Sequence, residues 1–429
     1  MYKQNSNGPR AAGSSRPAFG RSRFGSSRPS SGGSFRRGPM QKSPRFGQRG
    51  GGGMRGGQSM NINLLINKVN DTALAKPQEK EVIKHQFADF IIDQRIKNNI
   101  KSKGYVTPTP IQDQTIPIGL QGRDVIGIAN TGTGKTAAFL VPLLNKMLAN
   151  RLQKVLILAP TRELALQISD ELREFGKGFG LASILCIGGS NIMHQIRMLK
   201  HPHNFIIGTP GRILDLIDRK LIRLEHFHNV VLDEADRMVD MGFILDIRKI
   251  LSLLPTERQS FFFTATMEPK VEDLIRQFMI NPVKISVKMR DTASNVEQDI
   301  VRVPHDSTAK LRVLIEHLGK PGFDKVLVFG RTKHGVEKVA KALLIAGIKS
   351  DSIHGNKSQN YRQKALMRFK KGEIKALVAT DVAARGLDIS MVSHVINFDV
   401  PATYEDYVHR IGRTGRADKK GMALTFVSQ

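Results

Sequence analysis

Gly132, Thr133, Gly134, Lys135 and Thr136 stand between an apolar run at 125–129 and a segment of helical period. In a strand–loop–helix context, such a loop cradles phosphates on backbone N–H groups and a helix N-terminus. Lys135 then reaches the β- and γ-phosphates, and Thr136 binds Mg²⁺. The chemistry implied is that of a nucleoside triphosphate. A second apolar run, from Val230, ends in Asp233-Glu-Ala-Asp236. Asp233 stands where a second Mg²⁺-binding carboxylate belongs, and Glu234 can orient or deprotonate an attacking water. Far along the chain, His409-Arg-Ile-Gly-Arg-Thr-Gly-Arg416 sets Arg410, Arg413 and Arg416 three residues apart, so that their guanidinium groups can be presented together. Phosphoryl transfer needs positive charge at the γ-phosphate, worth roughly 10³–10⁵ in rate. Arg413 and Arg416 are expected to bring it from a second lobe, so that hydrolysis waits for the lobes to close.

These residues need elements that hold them together. Short β-branched runs alternate with helical patterns from Phe87 onward, as in parallel α/β folds. One set of runs lies at 125–129, 155–159, 183–187, 205–209, 230–233, 260–265 and 283–287. A second lies at 300–304, 325–329, 349–354, 376–380, 394–398 and 422–427. Helical stretches such as 163–175 and 268–279 lie between. Small polar residues at 290–295 separate the sets. The reading is two tandem parallel-sheet lobes of α/β class, over 87–289 and 297–429, joined by a linker at 290–296. The lobes are expected to sit apart when empty. Nearly every run ends in unusual polar residues, and ligands of open parallel sheets bind beyond the carboxyl ends of the strands. One continuous site across the cleft follows.

The 429 residues carry a net charge of +28 and a pI near 10.3, which favours a polyanionic partner. No apolar run approaches the ~20 residues of a membrane span, so none is expected. The single cysteine, Cys186, cannot form an internal disulfide. The pairs His201/His203 and His226/His228 lack further ligands at metal spacing. Residues 1–60 are dominated by Gly, Ser, Arg and Pro, with Arg49-Gly-Gly51 and Arg55-Gly-Gly57 among them and phenylalanines between the arginines. Such a basic tail is expected to be disordered and to bind single-stranded nucleic acid by charge and stacking. Residues 61–86 are transitional. No targeting signal is visible, so a cytoplasmic monomer is expected; the sequence names no protein partner.

Together these motifs closely resemble the DEAD-box RNA helicases of helicase superfamily two. The resemblance runs from Phe87 to the C-terminus, roughly four-fifths of the chain. Ala129-Asn-Thr-Gly-Thr-Gly-Lys-Thr136 resembles the family's phosphate loop, with Thr131 inside it, and Asp233-Glu-Ala-Asp236 is the motif that names the family. Phe87, Gly104-Tyr105 and Pro108-Thr-Pro-Ile-Gln112 resemble its Q motif. The resemblance implies two RecA-like domains that use ATP and Mg²⁺ and bind RNA. It implies that Gln112 reads the adenine edge, Tyr105 stacks on the base and Asp388 holds the ribose. Thr264-Ala-Thr266 resembles the motif that couples hydrolysis to unwinding, and His409 and Arg410 are placed in the same coupling set. Arg162, Gly189, Thr209 and Arg212 match RNA-contacting motifs of the first lobe, and Thr380 and Arg385 match those of the second, with Gln359 and Arg362 nearby. Such groups suit phosphates and carry little base specificity; the 2′-OH would select RNA. The activity implied is RNA-stimulated ATP hydrolysis coupled to lobe closure and local duplex unwinding. Two alternatives share these motifs: an ATP-dependent RNA clamp or scaffold, and a DNA helicase or translocase. The sequence departs from the family at Thr264, where Ser is usual, at Gly330-Arg-Thr332, and at Asn356, where an Asp is usual. The change at Asn356 is expected to weaken a hydrogen bond between lobes. The helix that commonly closes the second lobe of such proteins is not expected within these 429 residues.

Overall fold

The computed structural model describes residues 83–130, 132–287, 296–384, 392–415 and 421–428. The expectations for the tail at 1–60, residues 61–82 of the transitional segment, Thr131, most of the linker, Arg385, Asp388 and Arg416 lie outside those residues.

In chain order the first lobe contains α1 (Gln94–Ser102), α2 (Pro110–Leu120), β1 (Val125–Ile128), α3 (Lys135–Ala149), β2 (Val155–Leu158), α4 (Arg162–Phe175), β3 (Ser183–Cys186) and α5 (Ile192–Leu199). It continues with β4 (Phe205–Gly208), α6 (Pro210–Asp218), β5 (Asn229–Leu232), α7 (Ala235–Asp240), α8 (Ile244–Ser252), β6 (Gln259–Thr264), α9 (Pro269–Phe278) and β7 (Val283–Ser286). The second lobe contains β8 (Val296–Val303), α10 (Ser307–Gly319), β9 (Val326–Phe329), α11 (Lys333–Ile345), β10 (Ser350–Ile353), α12 (Gln359–Lys370), β11 (Ala376–Ala379), α13 (Asp381–Ala384), β12 (His394–Asn397), α14 (Tyr404–Ile411) and β13 (Gly421–Ser428).

Strands such as Val155-Leu-Ile-Leu158 are buried on both faces, which is why they read as continuous apolar runs. Every strand pair is parallel, in the orders β3-β4-β2-β5-β6-β1-β7 and β10-β11-β9-β12-β13-β8. Each sheet is covered by helices on both faces, with separate apolar clusters above and below it. The chain therefore forms two RecA-like parallel-sheet domains.

Polar residues just past the strands cap the helices that follow. Thr161 accepts from the Leu164 amide at 3.2 Å, and Ser358 and Thr403 cap α12 and α14 in the same way. The same residues thus stop strands, start helices and face the cleft. Most helix and strand ends differ from the sequence reading by one residue, as where α4 begins at Arg162, but β8 begins at Val296, four residues before the run at 300–304. Val296 pairs with Gly421 and is buried, so the second sheet starts inside the stretch read as linker. The transitional segment also ends in structure, because the amides of Lys84 and His85 both donate to the Asp113 carboxylate on α2.

The two lobes are in contact. Glu163 of α4 lies 5% exposed between Gln359 and Arg362 of α12. Asn356, by contrast, accepts from Lys333 of its own lobe at 3.1 Å.

Within the second lobe, Glu337 of α11 ties β10 to the loop beyond it. Its Oε2 accepts from Ser352 Oγ at 2.6 Å and His354 Nε2 at 3.2 Å, and Lys357 Nζ lies 3.0 Å away. The Ser352 hydroxyl first, then Lys357 and His354, hold this carboxyl at about 2, against an ordinary 4.5. A depressed carboxyl stabilises the fold above its unfolded value and loses that effect as pH falls toward the folded one. Glu337→Gln should therefore lower the melting temperature at pH 7 by a few degrees, about 1 kcal/mol after screening. Thermal melts should show the gap narrowing from pH 4.5 to pH 2.

Candidate functional site

The phosphate loop joins β1 to α3. Gly134 holds φ +90°, and a Cβ there would lie 2.3 Å from Gln112 Nε2, so only glycine fits beneath that amide. Gln112 is itself fixed. Its Oε1 accepts from the Thr109 amide at 2.9 Å while its Nε2 donates to the Gly134 carbonyl at 3.0 Å. The Thr133 hydroxyl donates to the Asn130 carbonyl, and Gly132 also holds positive φ. Lys135 is 5% exposed; its Nζ donates to the Ala129 carbonyl at 3.1 Å and stands 3.9 Å from Asp233. Thr136 follows it in the first turn of α3 and is half-buried. Phe87 is buried edge-on against Phe90, and Tyr105, 39% exposed, leans on Phe175 at the end of α4.

Asp233 sits directly past β5, nearly fully buried, and its Oδ1 has no hydrogen-bond partner. Burial pushes its carboxyl up to about 6, with Glu234 and Asp236 adding to the rise and Lys135 opposing it. A buried carboxylate oxygen with no hydrogen-bond partner, near the phosphate-loop lysine, fits a divalent cation that carries phosphates. Among the described residues no cluster of three or more His, Cys, Asp or Glu side chains could hold a metal by itself.

Glu234 is held in the left-handed region at φ 55°, a conformation costly for a residue with a Cβ and often found where a side chain must be aimed. Arg237, one turn on and 4% exposed, donates to Glu234 Oε2 at 3.1 Å. Sequence reading passed over Arg237, since an arginine after an acidic motif has no distinctive spacing. Asp236 turns the other way: its Oδ2 accepts from the amides of Ala265 and Thr266, both at 2.9 Å, and from the Thr266 hydroxyl at 3.2 Å. Thr264 Oγ1 donates to the Thr266 carbonyl at 2.7 Å, so the hydroxyl that replaces serine is used locally.

Further along the same edge, Gly189 holds φ +72°, and a Cβ on it would meet Arg162 Nη1 at 2.1 Å. The arginine lies flat over the glycine. Arg212 donates to Gln195 at 3.0 Å, and Gln195 in turn donates to the Ile187 carbonyl. Thr209 bonds the Cys186 carbonyl and starts α6. Gln195 is a second residue that sequence reading missed.

In the second lobe, His409, Arg410 and Arg413 line a small crevice with Phe329 and Asp381. Arg410 and Arg413 are both buried, at 2% and 4% exposure, and the partners of Arg410 lie within its own lobe. Arg410 Nε and Nη2 meet Asp381 at 2.5 and 2.8 Å, and its Nη1 meets Asn397 and the Asp399 carbonyl. It braces β12 and α13 within its lobe. Thr380 caps the turn of α13, its carbonyl accepting from Ala383 and Ala384.

Residues 109–274 match the family described as DEAD/DEAH box helicase, and residues 309–418 match the helicase conserved C-terminal domain. The chain is 49% identical over 345 residues to the DEAD-box ATP-dependent RNA helicase CshA of Geobacillus kaustophilus, covering 80% of this chain and 73% of that one. The chain belongs to the DEAD-box helicase family. CshA of Bacillus subtilis is 48% identical over 344 residues, covering 80% and 69%. Among solved structures, S. cerevisiae Dbp5 bound to RNA and ADP BeF3 matches this helicase with a TM-score of 0.71 and 30% identity, over 81% of this chain and 90% of that chain.

The buried Glu234–Arg237 pair gives a stability test that is independent of turnover. Arg237→Met should destabilise the first lobe by about 3–5 kcal/mol, because it strands a buried carboxylate. The double variant Glu234→Gln/Arg237→Met should recover most of that loss in urea denaturation. Equal loss in both would show that the pair is not what keeps Arg237 inside.

Proposed function

We propose that this ATP-dependent RNA helicase uses ATP to close its two lobes on RNA and opens duplexes locally. The observation that carries the reading is Glu163. This one buried carboxylate belongs to the helix that starts at Arg162, and it is shared with Gln359 and Arg362 of the other lobe. Closure is thus joined directly to the RNA-facing edge. The relatives named as ATP-dependent RNA helicases, and a neighbour solved with RNA and ADP BeF3, support it.

In this reading Gln112 reads the adenine edge, Tyr105 and Phe87 shape the base pocket, and Asp388 holds the ribose. Backbone amides of Thr131–Thr136 cradle the phosphates, and Lys135 neutralises the β- and γ-oxygens. Thr136 and Asp233 would hold Mg²⁺, which would supply positive charge to offset that of the phosphates. Glu234, aimed by its backbone and by Arg237, takes the proton of the attacking water; the γ-phosphate leaves ADP as inorganic phosphate. Arg413 and Arg416 supply positive charge only when the lobes meet. Asp236 links this step to Thr264 and Thr266, while Arg410, with His409 beside it, keeps the second-lobe wall rigid.

Arg162, Gly189, Thr209 and Arg212 on one lobe, with Thr380 and Arg385 on the other, grip one RNA strand by its backbone. A strand bent across two lobes cannot stay paired in an A-form duplex, so opening is local. The Arg- and Gly-rich tail adds a second, weakly selective hold on RNA. No described helix is long and apolar enough to cross a membrane, and a cytoplasmic monomer is the working state proposed.

Steady-state ATPase should rise strongly with single-stranded RNA and little with matched DNA. Glu234→Gln should cut the stimulated rate by about 10²–10⁴, and Lys135→Ala should abolish both turnover and strand separation. Equal stimulation by DNA, or unwinding that persists in Lys135→Ala, would sink the reading.

A further inference from the structure

The second sheet carries an unusual feature at the end away from the cleft. β10, β11 and β9 are neighbours, with Ser350, Ala376 and Val326 in register. The residue just before each is a lysine: Lys349, Lys375 and Lys325. The ladder extends through them, since the Lys375 amide donates to the Lys349 carbonyl at 2.8 Å and the Val326 amide to the Lys375 carbonyl at 2.9 Å. Three lysines therefore start adjacent strands about 4.8 Å apart. The end of α12 adds Lys370 and Lys371, both exposed, and Lys325 Nζ lies 2.9 Å from the Lys370 carbonyl.

Like charges placed side by side on a sheet are destabilising. Here no described carboxylate relieves them, and the Lys370 carbonyl serves Lys325 alone. Arg368 takes up the nearby acids, pairing with Asp351 at 2.9 Å and approaching Glu373 at 3.8 Å. Among the described residues no carboxylate lies within ion-pairing distance of Lys325, Lys349, Lys370, Lys371 or Lys375. Asp324 is exposed beside Lys325. Burial depresses the Lys325 ammonium, and Lys370 beside it adds to the effect. An anion from outside the chain would relieve this crowding.

We propose that the amino ends of β9, β10 and β11 form a second RNA surface, which takes the phosphate backbone of a segment flanking the strand held in the cleft. The strands set this row about 16 Å from the carboxyl ends where Thr380 and His354 lie, so RNA that reaches it must extend beyond the segment seated in the cleft. Lysine point charges fit phosphates without reading bases. The surface would anchor a structured RNA while the cleft works on its free end.

The inference rests on RNA being the ligand of the cleft, and the test separates the two claims. The full chain and the variant Lys349→Glu/Lys370→Glu/Lys371→Glu are compared on a short single strand that only fills the cleft, and on the same strand with a duplex flank. RNA-stimulated ATPase and binding are read across a salt series. The variant should match wild type on the short strand and lose the tighter binding of the flanked RNA. Its slope of log affinity against log salt should fall by about 2, at ~0.7 per lost phosphate contact. A second variant, Lys349→Gln/Lys371→Gln, should show a smaller loss in the same direction with an unchanged melting temperature. Identical binding of flanked RNA by variant and wild type would overturn the proposal. So would loss on both RNAs together, which would place the lysines in the cleft's own work. A poly-glutamate peptide that binds wild type but not the variant, with RNA binding unchanged, would assign the surface to an acidic protein and also defeat it.

Discussion

Every strand pair in both sheets is parallel, so each sheet has one edge where all carboxyl ends emerge. That constraint decides where chemistry can sit. Backbone groups at that edge are satisfied by helix starts and side-chain caps, and helix starts attract phosphate. Loop, acid pair and Thr-Ala-Thr turn all follow strands β1, β5 and β6, which are direct neighbours in the order β5-β6-β1. Their adjacency lets Lys135 stand near Asp233 and lets Asp236 reach Ala265 and Thr266. None of these contacts would survive a change of strand order.

The same edge carries the means of coupling. Asp236 and Glu234 lie two residues apart on a tight turn, yet their carboxylates serve opposite sides. One is bound to the β6 turn, the other to Arg237. A shift of the β6 turn therefore moves the start of α7 and Glu234 with it. Between lobes the link is narrower. Glu163 is the residue after Arg162, so the carboxylate that meets the second lobe and the guanidinium that covers Gly189 are borne on one helical turn.

Much of this was legible in the sequence, because parallel strands announce themselves as buried apolar runs and their polar terminators are also helix caps. Lys135, Asp233, Thr264 and Thr380 could be placed by that punctuation alone. Most element ends differ by a residue because a cap belongs to neither neighbour, while β8 starts four residues early, against β13. What stayed hidden were pairs set by tertiary contact: Arg237 with Glu234, Gln195 with Arg212, and Glu163 with Gln359 and Arg362. No periodicity signals a partner nearly two hundred residues away. Arg410 misled for a related reason. Its spacing suggests a guanidinium offered to the cleft, whereas Asp381, Asn397 and the Asp399 carbonyl hold it within its own lobe.

In the proposed cycle, hydrolysis waits for the two lobes to meet through Glu163. The direct measurement is a double-mutant cycle of Glu163→Gln and Arg362→Met on ATPase, with and without RNA. Each single variant should show a large fall in the RNA-stimulated rate, the double little further loss, and all of them an unchanged RNA-free rate. Additive losses, or equal losses with and without RNA, would contradict that cycle.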